Sequence, residues 1–415
     1  MTQEGPARLS LLSEDPRPSS LEVSVVMPCL NEVRTLEECV LKAQRAIEEH
    51  GYAGEVIVSD NGSTDGSIEL ADRLGARVVH AQRKGYGAAL QAGIEAAHGE
   101  FVVMGDCDGS YDFAHLDRFI TELRKGHDLV MGNRFAGGIA PGAMPKLHRY
   151  FGNPVLSTIG RRIFGRRAGD FYCGLRGFRK DTYERLSIRS EGMEFALEMV
   201  SKMTMHGARV TEVPTTLSPD GRDRKPHLRT WRDGWRSLRL FLLLSPKWLF
   251  WYPGLLMMLV GFGLGARLVA GPLQIGDLSL DVHTLAACAA IGLIGFQSAL
   301  FAALAKAKAV RSGLHPSSPK VDRLFRVLCI ERGLLLGGSL VAIGAWGMFA
   351  AFFSWAGKSY GELDPFRTMR VVIPSLLGLA IGAQIVLASF FLSFTAFVEQ
   401  SRGPRLGGPA DSASE

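Results

Sequence analysis

Asp106-Cys107-Asp108 sets two carboxylates two residues apart, directly after the apolar run Phe101-Val-Val-Met104. Hard oxygen ligands of this kind suit Mg2+ or Mn2+, and such cations usually also bind substrate phosphates. A solvated acidic turn has the same spelling, since a lone D-x-D recurs by chance in loops. Polar groups close other apolar runs too. Pro28, Asn31 and Glu32 come after Val23–Met27; Asp60, Asn61, Gly62, Ser63, Thr64 and Asp65 come after Glu55–Ser59; Gly132, Asn133 and Arg134 come after Asp128–Met131. Any one of these serves equally as a turn or a helix cap. Their shared position at the ends of apolar runs is what unites them.

Regular secondary structure has to hold these groups at one edge. Val23–Met27, Glu55–Ser59, Ala76–His80, Phe101–Gly105 and Asp128–Met131 read as strands. Helical patterns lie near Leu36–Glu49, Ser67–Leu74, Ala88–Ala97 and Leu116–Lys125. Alternation of this kind predicts an α/β fold, a doubly wound, mostly parallel sheet with crossover helices. Ligands bind such sheets beyond the carboxyl ends of the strands, where the polar groups above collect.

Arg83-Lys84-Gly85-Tyr86-Gly87 precedes a helix that opens with small residues. Backbone N–H groups at a helix start can hold phosphate. A flexible loop with close helix packing fits the same glycines, and Leu90 stands where a dinucleotide fingerprint needs its third glycine. Further on, Arg176 and Arg179 flank Gly177-Phe178, and Arg222, Arg224, Lys225, His227 and Arg229 lie downstream. Arginine forks match phosphate oxygens; a membrane-facing basic surface is the other reading. Glu194 and Glu198 share a helix face, where surface charge is the default.

After Trp248 charge becomes sparse. Leu249–Val269, Leu285–Ala305, Leu334–Phe353 and Val371–Val398 each reach the length a bilayer core demands, about 20 apolar residues. Trp248, Trp251 and Tyr252 sit where an aromatic belt lies. Lys306, Lys308, Arg311, Lys320, Arg323 and Arg326 load the loop between the second and third spans, whereas 271–281 has no Lys or Arg. Lys358, Arg367 and Arg370 in the last loop are offset by Glu362 and Asp364. Positive-inside counting puts the middle loop, the catalytic half and both termini in the cytoplasm. Thr230–Trp248 is amphipathic, with Trp231, Trp235, Leu238 and Leu242 at helical spacing; it either lies on anionic lipid or packs on the soluble half.

Composition narrows the partners. A formal charge of +6 fits a phosphate-bearing partner, and the basic residues form no long stripe with interleaved aromatics, which argues against nucleic acid. No pair among the six cysteines is C-x-x-C, so no zinc site is expected, and unpaired thiols are expected of a cytosolic catalytic half. Residues 1–21 are polar, lack an apolar h-region and read as a disordered tail with no cleaved signal peptide.

Val25-Val-Met-Pro-Cys-Leu-Asn-Glu32, Val58-Ser-Asp-Asn-Gly-Ser-Thr-Asp65, Gly105-Asp-Cys-Asp108, Gly132-Asn-Arg-Phe135 and Asp170-Phe-Tyr-Cys-Gly-Leu-Arg176 together resemble the family 2 glycosyltransferases of GT-A fold. Within that family they are similar to the dolichyl- and polyprenyl-phosphate sugar synthases. Glu212-Val-Pro214 with Arg222 beyond it looks like the family's last strand and basic loop. The resemblance implies a nucleotide-sugar site at Pro28, Asn31, Glu32, Asp60, Asn61, Lys84 and Asp106. It implies Mg2+ or Mn2+ on Asp106 and Asp108, with Arg134, Arg176, Arg222 and Lys225 on the acceptor phosphate. Asp106, Asp108, Arg134 and Arg176 would be the catalytic set. The family often carries Gln two residues after the acidic pair; Ser110 stands there, with Asp112 close by. The implied reaction is transfer of one sugar to a polyprenyl phosphate, with inversion, at the inner membrane. A processive polysaccharide synthase usually carries Q-x-x-R-W, which His227-Leu-Arg-Thr-Trp231 does not match. A non-catalytic scaffold is the other alternative. The expected organisation is a tail at 1–21, a GT-A domain at 22–228, a juxtamembrane helix at 229–247, a transmembrane region at 248–399 and a tail at 400–415, with homo-oligomerisation open.

Overall fold

Val23, Val25, Met27 and Cys29 pack on one face of the first strand while Val26 packs on the other, so this strand is buried from both sides. A strand sandwiched in this way reads as a continuous apolar run. The computed structural model describes residues 21–165, 168–221, 230–312, 314–316 and 330–400. The expected tails, Arg222, Arg224, Lys225, His227, Arg229, Lys320, Arg323 and Arg326 lie outside the described residues. The chain divides between Phe241 and Leu242 into two units.

The first unit is built on β1 (Val23–Cys29), β2 (Gly54–Asp60), β3 (Arg77–His80), β4 (Phe101–Met104), β5 (Leu129–Asn133), β6 (Arg176–Arg179) and β7 (Val210–Pro214). They form one sheet in the order β3-β2-β1-β4-β6-β5-β7. All neighbours are parallel except β6, which runs antiparallel between β4 and β5. Helices cover both faces. On one side lie α1 (Leu36–Glu49), α2 (Ser67–Arg73) and α4 (Leu116–Arg124), contributing Leu36, Val40, Phe119 and Leu123 to the core. On the other lie α3 (Tyr86–Ala96), α6 (Asn153–Phe164) and α8 (Phe195–Met205), contributing Leu90, Ile94, Phe195 and Met199. Each fully buried side chain of this size contributes about 1.5–3 kcal/mol. The short helices α5 (Arg134–Gly137) and α7 (Lys180–Glu184) lie between.

The five strands read from the sequence are present. Of the other two, β7 is matched only by the family resemblance at Glu212–Pro214, and β6 has no counterpart: four residues, Arg-Gly-Phe-Arg, with no apolar alternation. It fits because Gly177 brings its backbone against Phe119 and Leu123, where a Cβ would lie 3.2 Å from each. Of the two readings of its amphipathic pattern, helix α9 (Thr230–Leu244) shows packing on the soluble half. Phe241 is buried edge-on against Phe164 and Phe171, and Asp233 and Ser237 are buried along the same side. Trp231 and Trp235 point away, 81% and 60% exposed.

The second unit holds four helices long and apolar enough to cross a membrane: Lys247–Val269, Val282–Arg311, Ile330–Ala356 and Pro365–Thr395. The regular helices are α10 (Tyr252–Val269), α11 (Val282–Arg311), α12 (Ile330–Ala356) and α13 (Pro365–Gln400). A small hairpin, Leu273–Ile275 with Leu278–Leu280, joins the first two. Within each helix pair, glycines let backbones touch. A Cβ on Gly254 would lie 2.7 Å from the Gly295 carbonyl oxygen, and one on Gly337 would lie 2.7 Å from that of Gly382. Small residues serve this purpose where lipid offers no hydrophobic drive for association. Between the pairs, α11 and α13 meet through polar contacts at three levels. Arg370 pairs with Asp281 at 2.5 Å, Gln384 Nε2 donates to Gln297 Oε1 at 3.0 Å, and Arg311 Nη1 donates to the Leu392 carbonyl at 3.2 Å.

Gly337→Leu should overpack the α12–α13 contact by about 1–3 kcal/mol. A lower thermal inactivation midpoint of the purified full chain in detergent, with Gly338→Leu as the control on an open face, is the expected result; a Cβ on Gly338 meets nothing within 4 Å.

Candidate active site

The carboxyl ends of β1 and β2 are laced together by their own side chains. Asn31 sits at φ 59°, a left-handed conformation that Asn tolerates. Its Oδ1 accepts the Thr64 amide at 2.7 Å, and its own amide donates to Ser63 Oγ at 2.9 Å. The Glu32 and Val33 amides donate to Ser67 Oγ and Asp65 Oδ2. Asp60 is buried and accepts the Gly62 and Ser63 amides, each at 2.9 Å. Burial pushes its pKa up, but these hydrogen bonds outweigh that and hold the carboxyl below its ordinary value. Asn61 ties down the next loop: its Nδ2 donates to the Arg83 carbonyl at 2.9 Å and its Oδ1 accepts the Gly85 amide at 2.8 Å. Pro28 is half-buried at the end of β1, and its carbonyl accepts Cys107 Sγ–H at 3.1 Å.

The acidic pair comes directly after β4, as the sequence suggests. Asp108 is buried, and its Oδ1 accepts the Ser110 amide at 3.0 Å and the Ser110 hydroxyl at 2.5 Å. Asp106 is half-buried beside the Tyr86 phenol. Burial first, and then the Asp106 charge, push the Tyr86 phenol well above its ordinary pKa, so it stays protonated. Gly174 makes room: a Cβ there would lie 3.0 Å from Asp106 Oδ2 and 3.2 Å from the Tyr111 hydroxyl, which accepts the Gly174 amide at 2.8 Å. Among the described residues no group of three His, Cys, Asp or Glu side chains is placed to hold a metal. Two carboxylates are nonetheless a fitting donor set for a hard cation that takes its remaining ligands from diphosphate and water. After β7 the chain returns to this turn, where the Ser218 and Gly221 amides donate to the Ser110 and Asp108 carbonyls at 3.0 Å. Gly221 immediately precedes Arg222, which with Lys225 lies outside the described residues.

The two expected phosphate-binding arginines of the catalytic set are both buried. Arg134 grips Asp170 through both ends of its guanidinium, at 2.6 and 2.8 Å. Burial works against its charge, but Tyr111 and Asp170 together raise its pKa above the ordinary value. Arg176 is fully buried. Its guanidinium donates to the carbonyls of Cys173, Phe171 and Ala196, the last at 2.5 Å. In that placement its donors fix the loop that carries Gly174. Arg179, read in the same basic group, pairs with Glu100 at 2.7 Å.

The start of α3 is not an open anion cradle, because the Ala88 amide donates to the Glu191 carbonyl at 3.1 Å and the Gly85 amide is taken by Asn61. A Cβ on Gly87 would strike the Ser190 carbonyl at 2.5 Å, so close packing explains these glycines. Lys84 is exposed beside them. Glu198 is no surface charge: it is buried, pairs with Lys202 at 2.5 Å and accepts the Ser190 amide at 2.7 Å. Glu212 reads in the sequence only as part of a strand. In the structure its carboxylate accepts the Gly169 and Asp170 amides and the Asn133 side-chain N–H, and so orders the loop that carries Asp170. A lone acid inside a strand, beside Pro214, is the signal that marks it.

The stability contributed by Asp60 is present above the unfolded Asp range and lost as pH falls through its lowered pKa. The melting-temperature gap between the protein and Asp60→Asn should therefore narrow as pH drops below about 4. Arg176→Met should cost about 2–5 kcal/mol by orphaning buried carbonyls, visible as a lower melting temperature without any substrate present.

Comparison with known proteins gives two family matches. The model for glycosyl transferase family 2 covers residues 24–187, and that for the glycosyltransferase family 2 C-terminal transmembrane region covers 303–396. A low-salt glycan biosynthesis hexosyltransferase of Haloferax volcanii is 34% identical over 374 residues, which is 89% of this chain and 88% of that protein. A dolichyl-phosphate hexose transferase of the same organism is 30% identical over 46% of this chain and 81% of its own length. The undecaprenyl-phosphate 4-deoxy-4-formamido-L-arabinose transferase of Salmonella paratyphi B is 27% identical over 46% of this chain and 58% of its own length.

Proposed function

Because this chain belongs to the family 2 glycosyltransferases and carries that family's transmembrane region, we propose that it moves one sugar from a nucleotide-sugar to a polyprenyl phosphate. The observation that carries this reading is the pair Asp106 and Asp108, closing β4 at the ligand-binding edge of the sheet in a chain with four apolar spans. The names of the dolichyl- and undecaprenyl-phosphate relatives support the acceptor class. We place the reaction on the cytoplasmic face of an inner membrane. Lys306, Lys308 and Arg311 sit at one end of α11, while Asp281 at its other end balances Arg370.

Pro28, Asn31, Glu32, Asp60, Asn61 and Lys84 form the nucleotide side. Asp106 and Asp108 would hold Mg2+ or Mn2+, which would supply positive charge against the leaving nucleoside diphosphate. A phosphate monoester has its second pKa near 6 and is mostly a dianion at neutral pH, so the nucleophile needs no strong base. The difficulty is bringing an anion to an anionic donor. Arg222 and Lys225 are assigned to the acceptor phosphate, in the chain just beyond Gly221 on the Asp108 turn. The Arg134–Asp170 pair shapes that side, and Arg176 holds the floor beneath Asp106. Direct attack on the anomeric carbon inverts its configuration. The proposed organisation is a catalytic domain at 22–228, an interfacial helix at 229–247 and a transmembrane region at 248–399.

Purified full chain with polyprenyl phosphate and a nucleotide-sugar panel should give a lipid carrying one sugar, detected by mass spectrometry, and only with Mg2+ or Mn2+. Asp108→Ala should lower the rate by on the order of 10²–10³-fold. A product carrying several sugars would establish a processive synthase, donor binding without turnover a scaffold, and full activity in Asp108→Ala would remove the metal role.

A further inference from the structure

Gln297 stands midway along α11, about 24 Å along the helix axis from Asp281 and about 21 Å from Arg311. That puts its amide near the centre of a hydrocarbon core about 30 Å thick. Its oxygen accepts Gln384 Nε2 at 3.0 Å. The bond leaves the Gln297 N–H groups and the buried Gln384 Oε1 without a partner among the described residues. Gln297 is also exposed, together with Ala286, Ala290, Ile294 and Phe301 at helical spacing, so the amide lies on a face turned toward lipid. Hydrocarbon has no water to take up such hydrogen bonds, which makes an amide costly there. Other exposed faces of the spans are built differently. On α12, Leu335, Ile343, Trp346, Phe349 and Phe353 present bulky apolar side chains, which lipid tails match in polarity. On α11, Ala286 and Ala290 leave room for a second backbone to come close.

We propose that this face of α11 is the contact between two copies of the chain in the bilayer, joined at its centre by Gln297. The unmet groups select the occupant. Lipid tails offer neither donor nor acceptor. A second copy offers both, because a carboxamide is donor and acceptor at once and so complements itself. Copies inserted in the same direction have parallel α11 helices. A two-fold axis along the membrane normal then brings each Gln297 to its counterpart at equal depth, and the interface is the same patch on both sides. The alanines near the axis let the two backbones approach, and Ile294 and Phe301 pack beside the amides. The pairing depends only on the spans, so it stands apart from the sugar, the acceptor and the metal.

The test uses the full chain, labelled with donor or acceptor dyes at the N terminus and reconstituted in phosphatidylcholine and phosphatidylglycerol vesicles over a range of protein-to-lipid ratios. Energy transfer should follow a monomer–dimer equilibrium. Gln297→Leu should weaken the dimer about 5- to 30-fold, whereas Trp346→Leu, on the lipid face of α12, should leave it unchanged. A second measurement keeps Gln297 intact. Ala290→Cys, in a Cys329→Ser background whose five described cysteines are buried, should give a covalent dimer on oxidation with copper phenanthroline. Leu335→Cys, 73% exposed on α12, should not. A chain that stays monomeric at every lipid ratio overturns the proposal, as does a Gln297→Leu dimer as tight as the unaltered one. Cross-linking at 335 but not at 290 moves the interface to α12 and overturns it equally.

Discussion

A strand buried on both faces, β4, runs without a break into two carboxylates. Charge at such a place is expensive unless something solvates it, and the surroundings of Asp106 and Asp108 answer that constraint. Ser110 donates twice to Asp108, and the protonated Tyr86 phenol lies beside Asp106. Neutral donors solvate a charge without cancelling it.

Holding neutral donors in place demands rigid backbone, and the buried charges elsewhere in the unit supply it. Lys202 and Glu198 are sealed together, and Glu198 accepts the amides of Arg189 and Ser190. The loop so fixed presents the Ser190 and Glu191 carbonyls to Gln91 and to the start of α3. That helix begins with Tyr86, whose phenol lies beside Asp106. On the other side Arg176 gathers carbonyls beneath Gly174, and Glu212 orders the loop that carries Asp170. A buried pair broken on one side leaves an uncompensated charge, so these contacts act as locks more than as sources of net stability.

The sheet, its acidic edge and the four spans are legible in the sequence because each rests on a periodic or positional signal: apolar runs, the polar groups that close them, and sheer length. The role of each arginine is not. Arg176 and Arg134 have the residue type that binds phosphate, but type says nothing of what lies opposite, and carbonyls in one case and Asp170 in the other have already claimed the guanidinium. Strand β6 escapes because its character comes from Gly177 fitting under α4. Leu147, Tyr150, Phe151 and Val155 escape for the opposite reason: they look like core until the structure shows them outside.

The spans carry a consequence of their own. α10 with α11, and α12 with α13, close on each other through glycine, so each hairpin can complete its internal packing as it leaves the insertion machinery. The joins between hairpins add polar contacts to the apolar packing of Ile373 on Leu268 and Leu285: Asp281 to Arg370, Gln297 to Gln384, Arg311 to Leu392. Apolar helices can slide past each other in lipid at little expense, whereas polar groups spaced along both helices fit in only one register. The alignment of the two hairpins is thereby set by α13, which supplies the second partner of each of these contacts.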